Sequence, residues 1–149
     1  MIVDYAHNPE GLRGLLEVAG TLRKGGGRLG LLLGHAGNRE DADIERLAMT
    51  AAQFTPGLVV IKELEGYLRG RAPGEVPRIL REALLRAGLV ESALQERPTE
   101  VEAARLALDW ARPGDLLVLP VHGLAARTEV LALIDTLRSG GMLQQQGRT

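Results

Sequence analysis

The segment Asp4-Tyr5-Ala6-His7-Asn8-Pro9-Glu10-Gly11 places acidic, phenolic, imidazole and carboxamide groups where a strand-like pair, Ile2-Val3, gives way to a helix. Asn8 is typical of a helix N-cap, and Pro9 fits the first turn because the N–H that it lacks has no partner there. Ligands of parallel α/β sheets collect at such turns, where free N–H groups attract anions. The segment is therefore a candidate ligand site, with helix capping as the simpler role of Asn8.

A second polar group, Gly34-His35-Ala36-Gly37-Asn38-Arg39-Glu40-Asp41, follows an apolar run. Glycines directly after a strand let the backbone turn tightly and approach a ligand, and Arg39 is suited to pair with a phosphate or a carboxylate. An ordinary turn with a surface arginine is the alternative, since turns are rich in glycine anyway.

The third group runs from Lys62 to Arg71 and carries Glu63, Arg69 and Arg71, with Pro73-Gly74-Glu75 just beyond it. Two arginines one residue apart suit a bidentate grip on a carboxylate, and the neighbouring acids suit an amino or guanidinium group. The pattern predicts amino-acid binding, against the alternative of a solvated charged loop. His122, in a later loop, is more often an incidental residue than a functional one.

The elements that must position these groups alternate between two patterns. Apolar runs bounded by turn residues predict buried strands over 28–34, 57–62 and 115–120, and a more polar stretch, 90–96, is a weaker strand candidate. Apolar residues at helical spacing predict five helices, within 12–22, 44–51, 76–87, 101–111 and 130–137. Thr99 begins a capping box for the fourth helix, and Trp110 near its end is interpreted as core or interface packing.

The alternation predicts an α/β fold, a three-layer Rossmann-like, mostly parallel sheet with helices on both faces. We expect a domain over 1–139 and a flexible tail over 140–149, where the burial pattern stops. In a parallel sheet the three polar groups and the His122 loop emerge along one edge. That edge is the predicted site.

Composition limits the function further. The 149 residues include no cysteine, which excludes disulfides, thiolate metal sites and cysteine nucleophiles. A formal net charge of -1, with acids and bases interspersed, predicts neither a nucleic-acid nor a membrane partner. The chain shows no signal peptide and no apolar run long enough to cross a bilayer, so we expect a cytoplasmic protein.

The string Asp-Tyr-Ala-His-Asn-Pro resembles the opening of the C-terminal domain of Mur ligases, cyanophycin synthetases and folylpolyglutamate synthetases. The turn around Arg39 is similar to the family's Gly-Asp-Arg turn, with Asn38 where aspartate is usual. Lys-Glu followed by Arg-Gly-Arg and Gly-Glu resembles cyanophycin synthetases more than the Asp-Asn-Pro-Arg loop of the peptidoglycan ligases. The likeness extends from the first strand to about residue 139.

This resemblance implies an ATP-dependent, ADP-forming ligase that joins a carboxylate to an amine. It implies nucleotide binding by Asp4, His7, Asn8 and Arg39, and binding of the incoming amino acid by Glu63, Arg69 and Arg71. No catalytic residue and no metal ligand is expected in this chain. Family domains carry a strand just ahead of this motif, so the resemblance also implies a fragment or a detached module.

Phosphoryl transfer requires a phosphate cradle and Mg²⁺ ligands, and no G-x-x-x-x-G-K-[ST] string occurs in this sequence. In the family, those parts belong to a central ATP-binding domain, which is the partner that the resemblance implies. We therefore expect the chain alone to be inactive and to need no cofactor of its own. The alternative is a free-standing, non-catalytic α/β domain that binds a nucleotide, an amino acid or a protein. A small hydrolase or transferase is disfavoured because no Ser or Cys nucleophile has a plausible base.

Overall fold

The computed structural model describes residues 1–4, 6, 8–23, 25–64 and 66–146, the last six of these as backbone alone. Strands and helices alternate along the chain. The strands are β1 (Ile2–Asp4), β2 (Leu29–Leu33), β3 (Leu58–Lys62), β4 (Leu94–Arg97) and β5 (Leu116–Pro120). The helices are α1 (Pro9–Leu22), α2 (Asp41–Ala52), α3 (Glu75–Arg86), α4 (Glu100–Trp110) and α5 (Leu124–Gln146), and a single 3₁₀ turn (Glu91–Ala93) precedes β4.

The five strands form one sheet in the order β1-β5-β2-β3-β4, and every pairing in it is parallel. Ile2 pairs with Val118, Leu29 with Leu116, and Val59 with Leu94. The three central strands are buried along their whole length, as expected for a sheet covered on both faces. The predicted parallel α/β architecture is therefore confirmed.

Helices cover the sheet on both faces. One apolar cluster joins α1, α2 and α3 to the sheet, and a second joins α4 and α5 to the opposite face. The weak strand candidate over 90–96 corresponds to β4, which lies at the edge of the sheet. Leu94 is the buried residue of this strand, and the other three β4 residues are exposed. An edge strand with three solvent-facing residues has too few apolar positions for a clear signal.

Side-chain caps fix where two helices begin. The Asn8 carboxamide oxygen accepts the N–H of Gly11 at 2.7 Å, and the Thr99 hydroxyl accepts the N–H of Glu102 at 3.1 Å. Both residues therefore act as the N-caps that the sequence predicted. At the other end of the domain, α5 continues past residue 139, and the tail expected over 140–149 stays a prediction.

An ion pair lies at the amino edge of the sheet, away from the predicted site at the carboxyl edge. Arg28 forms an ion pair with Asp115, and its guanidinium lies 4.0 Å from the ring centre of Trp110. The hydrogen bond from Arg28 holds the pKa of the Asp115 carboxyl well below its usual range. Trp110 itself packs against the second apolar cluster, which agrees with its interpretation as a packing residue.

Candidate functional site

A cavity of about 210 Å³ opens at the carboxyl edge of the sheet. Its wall comes from the loops after three adjacent strands, β2, β3 and β5. The lining residues are Gly34, His35, Ala36, Asn38, Arg39, Leu64, Tyr67, Arg69 and His122. Parallel strands bring these loops together because their carboxyl ends share one edge. The structure thus brings together the second and third polar groups and the His122 loop.

The glycine turn after β2 is required by close packing. A Cβ on Gly34 would lie 2.9 Å from the backbone oxygen and from the Cγ of Lys62, the last residue of β3. A Cβ on Gly37 would lie 1.9 Å from the backbone oxygen of Leu68. No side chain fits at either position without displacing the neighbouring backbone. The glycines therefore allow the β2 loop to lie directly against the β3 loop.

The loop after β3 holds Arg69 in an unusual backbone conformation. Arg69 has φ 52°, in the left-handed region that non-glycine residues seldom adopt, and it is followed by Gly70 at φ 90°. Its guanidinium lies 5.5 Å from the ring centre of Tyr67, within cation–π distance. Backbone strain of this kind persists only where the surroundings enforce it, and it is concentrated at functional sites.

The side chains of Arg39 and Arg69 both line the cavity. Within the described part of the chain, neither guanidinium forms an ion pair or a side-chain hydrogen bond, and no carboxylate lines the wall. His35 adds an imidazole that is almost fully buried. Burial lowers the pKa of His35, a contact with the Ala36 carbonyl opposes this in part, and the charge of Arg39 lowers the pKa further. The resulting cavity is basic and suits an anionic group.

Arg71 acts between the loops, outside the cavity lining. Its guanidinium donates to the backbone oxygens of Gly37 at 3.0 Å and Arg39 at 2.7 Å, and it pairs with Asp41 at 2.7 Å and Glu75 at 3.4 Å. The hydrogen bond and charge of Asp41 raise the pKa of Arg71, so it is permanently charged. Arg71 therefore holds the β2 loop against the β3 loop, and each nitrogen of its guanidinium already has a partner.

Of the other residues singled out from the sequence, those that the structure describes do not line this cavity. Asp4 ends β1 and is exposed, with its backbone oxygen accepting the N–H of Val121 at 3.0 Å. Glu63 accepts the N–H of Gly74 at 2.9 Å and lines a separate depression beside β4. His7 lies outside the described residues. The structure does not bring Glu63 into the same cavity as Arg39 and Arg69.

A buried charged cluster adjoins the cavity through His122, and the sequence did not single it out as a site. The ammonium of Lys62 is fully buried and forms an ion pair with Glu100, the first residue of α4. The two carboxylate oxygens of Glu100 also accept the backbone N–H groups of His122 at 2.8 Å and Gly123 at 2.7 Å. The cluster joins β3, α4 and the β5–α5 loop, and through His122 it reaches the cavity wall.

Burial and pairing act in opposite directions on the two charges of this cluster. Burial lowers the pKa of Lys62 to about 8, although Glu100 opposes the shift. Burial by itself raises the pKa of Glu100, but hydrogen bonding with His122 and the charge of Lys62 outweigh it and lower that pKa to about 2. Both groups are therefore charged at neutral pH, as their mutual contact requires. A lysine ending an apolar strand was the available sequence signal for this pair.

Two absences concern only the described part of the chain. Among the residues that the structure describes, no three His, Asp or Glu side chains lie close enough together to hold a metal ion. None of the helices there combines the length and apolarity needed to cross a bilayer.

The fold and the edge cavity define a Rossmann-like α/β domain with a basic ligand cavity. The family described as "Mur ligase, glutamate ligase domain" matches residues 1–120. The chain belongs to this family, and the resemblance drawn from the Asp4–Gly11 and Arg39 segments is confirmed.

Curated relatives carry the same likeness. The chain is 30% identical over 129 residues to the UDP-N-acetylmuramoyl-L-alanyl-D-glutamate--2,6-diaminopimelate ligase of Corynebacterium glutamicum, covering 82% of this chain and 23% of that protein. It is 34% identical over 126 residues to the ligase of the same name from Synechococcus, covering 83% and 23%. It is 29% identical over 138 residues to the cyanophycin synthetase of Synechocystis, covering 87% and 14%. The chain thus spans less than a quarter of the length of these relatives.

A solved structure supports the fold independently. It is a crystal structure of a domain from a Haemophilus ducreyi protein proposed to be a UDP-N-acetylmuramate:L-alanyl-gamma-D-glutamyl-medo-diaminopimelate ligase. The TM-score is 0.55 at 16% sequence identity, and the match covers 88% of this chain and 87% of the other. At this identity the likeness concerns the fold alone.

Proposed function

We propose that this chain is the closing domain of an ATP-dependent, ADP-forming carboxylate–amine ligase, and that it orients the nucleotide and the incoming amino acid. In that reaction ATP phosphorylates a carboxylate, the amine attacks the acyl phosphate, and ADP and phosphate leave. Family membership supports the reaction class. A domain that closes over a site contributes by placing reactants and excluding water.

The observation that carries this proposal is the meeting of Arg39 and Arg69 in one cavity without a counter-charge among the described lining residues. Two guanidiniums that face one space repel each other, so an anion entering between them gains from both. The reactants of the proposed reaction are anionic, as a nucleotide carries phosphates and an amino acid carries a carboxylate. We assign Arg39 to the phosphate side and Arg69 to the carboxylate side.

The other residues have supporting roles in this proposal. Asp4, His7 and Asn8 stand at the first β–α turn, where the family resemblance puts the nucleotide, and Asn8 also caps α1. Glu63 and Arg71 belong to the loop proposed to face the amino acid. Because Arg71 is held by Asp41 and two carbonyls, we propose that it shapes this loop and contacts the ligand less than Arg69 does.

The phosphate cradle and the Mg²⁺ ligands belong, in this proposal, to a central ATP-binding domain in the same or another chain. No step through the metal is assigned to residues of this chain. The amine substrate is likewise part of the proposal. The names of the relatives specify diaminopimelate for some and cyanophycin for others, and for this chain we propose an amino acid that presents a carboxylate to Arg69.

Titration calorimetry on the purified chain tests the assignment. ADP and a panel of amino acids are titrated into the wild type, Arg39→Ala, Arg69→Ala and the control Arg138→Ala, an exposed arginine far along α5. Loss of one charged contact is expected to weaken binding by about tenfold or more, ADP for Arg39→Ala and the amino acid for Arg69→Ala. The control is expected to bind as the wild type does.

Two results contradict the proposal. One is a wild type that binds neither ADP nor any amino acid. The other is equal affinity in the wild type and both cavity variants, which would place any binding site elsewhere on the chain.

A further inference from the structure

The partners of Lys62 constrain the hydrogen atoms of the buried cluster. A lysine ammonium has three N–H donors and no acceptor. In the structure these donors meet the Glu100 carboxylate, the backbone oxygen of Pro120 and, at 3.3 Å, the Nδ1 of His122. Nδ1 also lies 3.6 Å from a carboxylate oxygen of Glu100, but the ammonium is the nearer of the two groups. Since a charged ammonium only donates, the shorter contact fits an Nδ1 that accepts and carries no proton.

The other nitrogen of the same ring has the opposite role. Nε2 of His122 lies 2.8 Å from the backbone oxygen of Ala6, and a carbonyl oxygen only accepts. Nε2 therefore carries the proton and donates it to Ala6. In this arrangement the ring of His122 is in the Nε2–H form and lies between a buried cation on one side and a backbone carbonyl on the other.

This orientation links the buried cluster to two parts of the proposed site. His122 lines the cavity, and Ala6 lies in the β1–α1 loop between Asp4 and Asn8. Lys62 does not line the cavity. It nevertheless fixes the ring that ties this loop to the cavity wall, in the way that a hydrogen-bonded neighbour sets the tautomer of a functional histidine.

We propose that Lys62 is a positioning residue of the ligand site: it holds His122 in the Nε2–H form, so that His122 anchors the Ala6 carbonyl beside the cavity. The effect on a ligand rests on the proposed function, whereas the state of His122 does not. A buried ion pair is weak evidence of stabilisation, because its desolvation offsets the attraction between the charges. The geometry assigns it a task of orientation.

The test is ¹⁵N NMR of histidine-labelled protein, combined with ADP titration. His122 is assigned by the signal that disappears in His122→Asn. The wild type is expected to show protonated Nε2 and unprotonated Nδ1. Lys62→Met is expected to mix the two tautomers, to shift the backbone amide signals of Ala6 and Asn8, and to weaken ADP binding by about five- to tenfold.

Two further variants separate positioning from stability. Lys62→Met/Glu100→Gln replaces the pair by neutral groups of similar shape, so it remains available if Lys62→Met does not fold, and it is expected to lose the single tautomer too. Arg28→Met breaks the ion pair at the opposite edge of the sheet. It is expected to lower stability while His122 and the ADP affinity stay as in the wild type.

The outcomes distinguish this inference from the proposed function. A wild-type His122 in the Nδ1–H form, or an unchanged Nε2–H form in both Lys62 variants, overturns the role of Lys62. Altered tautomers with unchanged ADP affinity overturn the positioning of the ligand site. A wild type that shows the expected tautomer but binds no ADP and no amino acid overturns the proposed function and leaves the link from Lys62 to His122 standing.

Discussion

The amide N–H of Gly37 donates to the backbone oxygen of Tyr67 across 2.8 Å, and this bond joins the two loops that form most of the cavity wall. A Cβ at Gly37 would lie 1.9 Å from the Leu68 oxygen. Gly37→Ala is therefore expected to push the loops apart, lower the free energy of unfolding by about 1–3 kcal/mol and weaken ligand binding. Urea unfolding and the titrations described above measure the two effects.

The same substitution in α1 is the matched control for Gly37. Gly20 is exposed on α1, and no atom lies within 4 Å of the position that its Cβ would take. Gly20→Ala is expected to raise stability by about 0.5–1 kcal/mol, because alanine loses less backbone entropy in a helix. Equal effects of the two substitutions would show that the contact between the loops is unimportant.

Arg71 is expected to matter for the shape of the site more than its place in a charged loop suggests. Arg71→Ala removes two hydrogen bonds to backbone oxygens and the pair with Asp41, and we expect a loss of about 1–3 kcal/mol in unfolding free energy. Arg78→Ala is the control, because Arg78 also pairs with an acid four residues on, Glu82, but is exposed. Its expected cost is below about 0.5 kcal/mol. Similar costs for both would refute the clamping role of Arg71.

Replacing Arg69 by glycine is expected to weaken ligand binding without lowering stability. Arg69→Gly removes the guanidinium and relieves the left-handed backbone at φ 52°, so binding is expected to fall while stability is retained or rises by up to about 1 kcal/mol. Thr55→Gly relieves the same kind of strain at φ 46° in the turn before β3, away from the cavity. It is expected to stabilise the domain without changing binding. A strongly destabilised Arg69→Gly variant would contradict this interpretation.

The Glu100 carboxylate predicts a pH dependence of stability with a definite sign. Its pKa is about 2 in the folded domain against an ordinary value of 4.5, so the unfolded chain binds more protons between these values. The stabilisation is therefore complete above about pH 5 and is lost as the pH falls towards 2. Comparing wild type and Glu100→Gln by urea unfolding at several pH values measures it. A difference that does not shrink on acidification would contradict the depressed pKa.

Much of the fold could be predicted because its signals are local. An apolar run such as the one that ends at Leu33 has no polar face, which indicates a strand buried on both sides. Asn8 and Thr99 mark where two helices begin, because the side chain of each caps the helix that follows it. The edge strand β4 was harder to predict because burial on one side leaves few apolar residues. The shared edge of Arg39 and Arg69 followed from parallel topology alone.

The parts that were not predicted depend on partners distant in the sequence. From the sequence, Lys62 resembles the first residue of a charged loop. It is nevertheless fully buried, because Glu100 pairs with its ammonium and the Pro120 oxygen accepts a hydrogen bond from it. The contacts of Arg71 with Asp41 and the β2 loop were not predicted either, and its role towards the ligand stays a prediction. Pairings of this kind have no local pattern, since the partners lie on different loops and only the fold brings them together.

The strand order implies a sequence of events during synthesis. Among the described strands, β1 leaves the ribosome first, yet it pairs with β5 alone, and β5 is the last to be made. The pairing of β1 with β5 can therefore form only after almost all of this sheet has emerged, and a contact that closes so long a loop forms slowly. Ribosome-bound chains halted before Leu116 would therefore lack the strand that pairs with β1.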